Sequence, residues 1–145
     1  MKLIVDTNIA FSAILNSTGN IAKILFHSGP KYEFFSCDFL KVEIALHLSK
    51  IQRLTKLTEG QVQELINLVY SKISFLDEQL LPKKDLQKAF DLIGDVDKKD
   101  LPFVALSIHL KAHLWTGDKA IYRALKKRDH RYIIDTSELL SKIRI

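Results

Sequence analysis

The sequence predicts an α/β protein built on a mainly parallel sheet with helices on both faces. Three observations lead there. Short β-branched or aromatic runs alternate with helical stretches through most of the 145 residues, as successive βαβ units require. Apolar residues make up 47% of the chain, enough to fill a core and to argue against disorder. No Pro/Gly-rich linker, repeat or low-complexity tract interrupts it, so residues 1–145 read as one domain.

Lys2 to Val5 reads as a buried strand, short, apolar and bounded by polar residues. Asn8 to Leu15 reads as a helix stopped by the turn residues Asn16-Ser17-Thr18-Gly19. A second helix, Ile21 to His27, ends at Ser28-Gly29-Pro30. Tyr32 to Cys37 is the second strand, and Asp38 caps a helix running to about Lys50. Thr58 followed by Gln61 is a capping box that opens a helix to about Ser71. Ile73 to Leu76 is a third strand. Asp85 to Ile93 is helical until Gly94 breaks it. Leu101 to Lys111 is a helix that accepts Pro102 in its first turn. Ala112 to Thr116 is a strand, Lys119 to Lys127 a helix, and Tyr132 to Ile134 the last strand. Thr136 with Ser137 caps a closing helix from Glu138.

One cysteine, Cys37, allows neither an internal disulfide nor a thiolate zinc site, which fits a reducing, cytoplasmic setting. It ends an apolar strand and reads as a buried structural thiol rather than a nucleophile. The apolar run at Leu3 to Val5 is broken by Asp6 before a signal peptide develops, and no segment approaches the ~20 apolar residues of a membrane span. A soluble protein with no membrane partner is expected. The net charge of +5 favours an anionic partner such as nucleic acid over plain solubility mainly through its placement. Lys119, Arg123, Lys126, Lys127, Arg128 and Arg131 crowd one region, and Lys83, Lys84, Lys88, Lys98 and Lys99 flank an aspartate-rich stretch.

Ligands of open α/β sheets bind beyond the carboxyl ends of the strands. Asp6 ends the first strand, Asp118 follows the strand HLWT, and Asp97 and Asp100 precede the helix before that strand. Each also has a plain structural role available, as helix cap or turn residue. Glu43 lies between Phe39, Leu40 and Leu46 on a helical wheel, where a carboxylate needs pairing or coordination. Carboxylates gathered at one sheet edge repel one another unless a cation offsets the charge, and an all-oxygen site suits Mg²⁺ or Mn²⁺. The five histidines show no convincing metal-ligand spacing, and neither a G-x-S-x-G elbow nor a Walker A loop is present.

The stretches IVDTNIAFSAIL, Glu43 and DKKDLPFVALSIHLKAHLWTGDKAI, taken in this order, resemble the motifs of PIN-domain nucleases, especially the bacterial putative toxin-component branch and the VapC-like toxins. The resemblance covers nearly the whole chain. It implies a three-layer α/β/α sandwich with a central, mainly parallel sheet, and a metal-dependent ribonuclease. Carried over residue by residue, Asp6, Glu43, Asp100 and Asp118 would form the catalytic, metal-binding set. Asp97 would be a secondary ligand, and Asn8 and Thr116 would orient carboxylates or water. The basic segment Lys119, Arg123, Lys126, Lys127 and Arg128 would contact RNA phosphates. A toxin role would imply an antitoxin partner, and family habit a homodimer, for which the helices Ile21 to His27 and Leu57 to Tyr70 offer apolar faces if these are not core. Ser107 stands where the family more often has Ala, and Ile51 to Lys84 matches no sharp motif. Two other readings are open: another Mg-dependent phosphoryl-transfer enzyme, disfavoured by the absence of a D-x-D-x-T nucleophile motif, and a non-catalytic RNA- or protein-binding module.

Overall fold

The fold is known from a computed structural model that describes residues 1–128 and 130–143. Leu3, Ile4 and Val5 are fully buried, so the first strand, β1 (Lys2–Val5), is covered on both faces, as a parallel strand with helical crossovers must be. The other strands are β2 (Glu33–Cys37), β3 (Ile73–Leu76), β4 (His113–Trp115) and β5 (Ile133–Ile134). Their order is β3-β2-β1-β4-β5, and every pairing is parallel. The direction of winding reverses between β1 and β4, where Val5 stands opposite Trp115. This switch point opens a crevice at the carboxyl ends of those two strands.

On one face, α1 (Thr7–Leu15) packs against α2 (Asn20–His27) and α5 (Glu59–Tyr70), and α2 against α9 (Thr136–Lys142). Beside them lie α3 (Phe39–Leu46) and α4 (Leu48–Thr55), both touching α1. On the other face, α6 (Lys83–Ile93) packs against α7 (Leu101–Leu110) and α8 (Lys119–Lys127). The result is a three-layer α/β/α sandwich. The apolar faces of α2 and α5 are spent on the core, through Ala22, Ile24 and Leu25 and through Val62, Ile66 and Val69. No single helix among the described residues is long and apolar enough to cross a membrane.

Three elements depart from the sequence-based expectation. The helix from Asp38 is two helices, broken at His47 (φ −113°, ψ 15°). It carries no Pro or Gly at the break, so no breaker residue marks it. α6 begins at Lys83, because Pro82 supplies the extended residue before its first turn. The closing helix is capped by Asp135, whose carboxylate accepts the Glu138 N–H at 2.8 Å while Glu138 reaches back to the Asp135 N–H; Thr136 and Ser137 are its first residues. The capping box of Thr58 and Gln61 forms as expected. Ser107 donates its buried hydroxyl to the Ala112 carbonyl at 2.6 Å, closing the turn from α7 into β4. Buried Asp85 meets His109 Nδ1 at 3.1 Å and ties α6 to α7. Cys37 is fully buried, and burial pushes its thiol up to about 12, which fits a structural, unreactive role.

Candidate active site

The crevice between β1 and β4 is bridged by Asp6. It is the N-cap of α1: one carboxylate oxygen accepts the Ile9 N–H at 2.9 Å, and the other accepts the Thr116 hydroxyl at 2.8 Å. The same carboxylate thus caps the helix and spans the crevice. Only 3% of it is exposed, and burial raises its pKa to about 6 against the lowering effect of these two hydrogen bonds. Thr116, just past β4, also accepts the Asp118 N–H at 3.0 Å. Asp118 in turn caps α8, accepting the N–H groups of Ala120 and Ile121 at 2.9 and 3.2 Å. One threonine hydroxyl thus positions two of the carboxylates.

Asp97 caps a short 3₁₀ turn, Lys98–Asp100, by accepting the Lys99 N–H at 2.9 Å. That turn leads into α7 and presents Asp100. Asp97, Asp100 and Asp118 each offer a carboxylate oxygen within 4.8 Å of the others. Asp100 has its pKa raised to about 7, first by burial and then by the charges of Asp6, Asp97, Asp118 and Glu43. Such mutual repulsion is relieved by a divalent cation, and an all-oxygen donor set at this spacing fits Mg²⁺ or Mn²⁺.

Glu43 reaches the site from α3. Of its neighbours on the wheel, Leu40 is fully buried and Phe39 packs against the core, whereas Leu46 is 77% exposed, so Glu43 stands at the edge of the buried face of α3. Glu43 is half-buried because it faces the cleft, where the Thr7 hydroxyl donates to its Oε1. Thr7 is a positioning residue that sequence reasoning passed over, although it is the middle residue of Asp6-Thr7-Asn8. Asn8 is exposed and lines the cleft.

The cleft has a volume of about 250 Å³ and is lined by Thr7, Asn8, Glu43, Asp97, Asp100 and Asp118, with Phe11, His47, Lys50 and Lys99 around them. Phe11, His47 and Lys50 were also missed, because the break in the Asp38 helix that brings the last two here has no sequence mark. A second depression on the far side of Asp118 is lined by Lys119 and Arg123 of α8 and by Thr136 and Ser137. Of the basic residues singled out in the sequence, Lys126 and Lys127 are exposed near the end of α8. Arg128 is engaged differently: its guanidinium holds both Asp95 oxygens at 2.9 Å and donates to the Leu92 carbonyl.

Residues 4–134 match the PIN domain family. No protein of curated function matches significantly. Among solved structures, the chain is similar to VapBC2 from Rickettsia felis, bound to a DNA fragment from their promoter, with a TM-score of 0.66 at 15% identity over 93% of this chain and 98% of that one. VapBC-1 from nontypeable Haemophilus influenzae gives 0.68 at 16% identity over 94% and 99%. PAE2754 from Pyrobaculum aerophilum gives 0.69 at 15% identity over 98% and 94%.

Proposed function

The chain belongs to the PIN domain family, and on that premise we propose that it is a Mg²⁺- or Mn²⁺-dependent ribonuclease that hydrolyses RNA phosphodiester bonds as the toxin component of a toxin–antitoxin pair. The observation that carries this reading is the convergence of Asp97, Asp100 and Asp118 within 4.8 Å over buried Asp6. These residues, with Glu43 beside them, would hold the ion. Such an ion would lower the pKa of a water and neutralise charge building on the phosphate. The water oxygen bonds to phosphorus as the bond to the leaving ribose oxygen breaks. Glu43, fixed by Thr7, takes the water's proton, and solvent protonates the leaving oxygen. Asp6 positions rather than attacks: both its oxygens are already engaged, which argues against an aspartyl-phosphate mechanism.

Lys50 and Lys99 on one side of the carboxylates and Lys119 and Arg123 on the other give a phosphate backbone a path across the site. A cleft of about 250 Å³ suits a single strand better than a duplex. The toxin assignment draws on the two similar VapBC structures; an antitoxin would cover this cleft. The test is cleavage of a mixed-sequence, labelled single-stranded RNA with Mn²⁺ and with EDTA. Cutting that needs the metal and disappears in Asp6→Asn and Asp100→Asn is the expected result. Cutting that survives EDTA would overturn the mechanism, and no cutting in either condition would favour a binding module.

A further inference from the structure

We infer that the cleft carries, beside its carboxylates, a subsite for one unstacked nucleobase of single-stranded RNA, built from Phe11, His47 and Lys50. This rests on the ribonuclease reading and names how that substrate is held. In α1, Ile9, Ala10, Ala13 and Ile14 are buried in the core. Phe11 is not: four residues after Thr7, it shares that residue's face, is half-buried and lines the cleft. His47 meets its ring edge-on, with centroids 6.1 Å apart and planes at 73°. Lys50 lies with its Nζ 5.5 Å from the Phe11 centroid. The break between α3 and α4 delivers both, since His47 is the residue at the break and Lys50 stands in the first turn of α4.

An aromatic face beside a phosphate-handling site offers a base a stacking platform that tolerates any sequence. Lys50 is exposed and unpaired by any carboxylate within 4 Å among the described residues, so a base can displace it from the ring and a flanking phosphate can receive it. Paired bases cannot reach the ring, so the subsite selects single strands and loops.

The test is binding of a short single-stranded RNA carrying 2-aminopurine, in Ca²⁺, followed by its fluorescence, with cleavage in Mn²⁺ measured in parallel. Binding to the parent should change the 2-aminopurine emission. Phe11→Leu keeps apolar volume without a ring face; it should weaken binding about tenfold and lose the emission change, with Mn²⁺ affinity unaltered. Phe11→Trp should restore both. Lys50→Ala should weaken binding and reduce the salt slope by about one. Phe11→Leu binding as the parent does, with the same emission change, overturns the subsite and leaves the ribonuclease reading standing. Stacking without cleavage supports the subsite and overturns that reading; no binding by the parent overturns both.

Discussion

Asp100 is held near neutrality by burial and by the charges of Asp6, Asp97, Asp118 and Glu43. A carboxyl with a folded pKa of about 7 and an unfolded one near 3.8 binds more protons when folded between those values. Metal-free stability therefore falls as pH rises from about 4 to 7, and Asp6, raised to about 6, acts in the same sense. Urea unfolding in EDTA across that range should show the decline. Asp100→Asn should flatten it, stabilise the metal-free protein above pH 7 by about 1–2 kcal/mol, and weaken Mn²⁺ binding at least tenfold. Mn²⁺ affinity should itself rise with pH through 6 to 7, since the ligands must give up their protons. Thr116→Val removes a partner from both Asp6 and Asp118; a tenfold or greater loss of Mn²⁺ affinity with little change in far-UV circular dichroism is expected. Asp6 and Asp118 could be picked out in the sequence because they follow strands, whereas Asp97 and Asp100 stand before a helix and Glu43 within one. Thr7 could not be picked out, since a threonine after a capping aspartate carries no sign of the distant carboxylate it will meet.

At the scale of elements, the strands and most helices were legible from period, caps and turn residues. The exceptions have local causes. The continuous polar and apolar alternation of α3 and α4 hides the break at His47, on either side of which a helix packs against α1. Asp135 precedes the polar pair that looked like the cap, and its extended backbone (φ −102°, ψ 174°) fits the role. Asp135→Ala should cost about 1 kcal/mol in urea unfolding without touching metal affinity. Lys111 ends α7 in the left-handed region (φ 51°), where a Cβ is disfavoured. Lys111→Gly should raise stability by about 0.5–1 kcal/mol, as relief of that strain outweighs the added freedom of the unfolded chain. Arg128, which looked in sequence like one more phosphate contact, instead joins the end of α8 to the loop after α6.

For the whole molecule, layer order and parallel pairing followed from alternating elements, but the strand order could not be read from periodicity, and it decides which residues meet. Asp6 and Asp118 converge because β1 and β4 are neighbours. The metal proposed for this site would bind the folded chain alone, so Mn²⁺ at 100 times its dissociation constant should add about 2.7 kcal/mol, seen as a rise in Tm that EDTA reverses. The hydrogen bond from Thr116 to Asp6 joins residues 110 positions apart, and this has a consequence for the order in which the chain is made. Asp6 is made more than a hundred residues before β4, and its strand has no β4 neighbour until His113–Trp115 follow. Through most of translation the carboxylates exist without the centre they compose. If the proposed ribonuclease activity holds, a nascent chain would be harmless to the message and ribosome that are producing it, because the centre is assembled only when Asp118 emerges and the switch point closes.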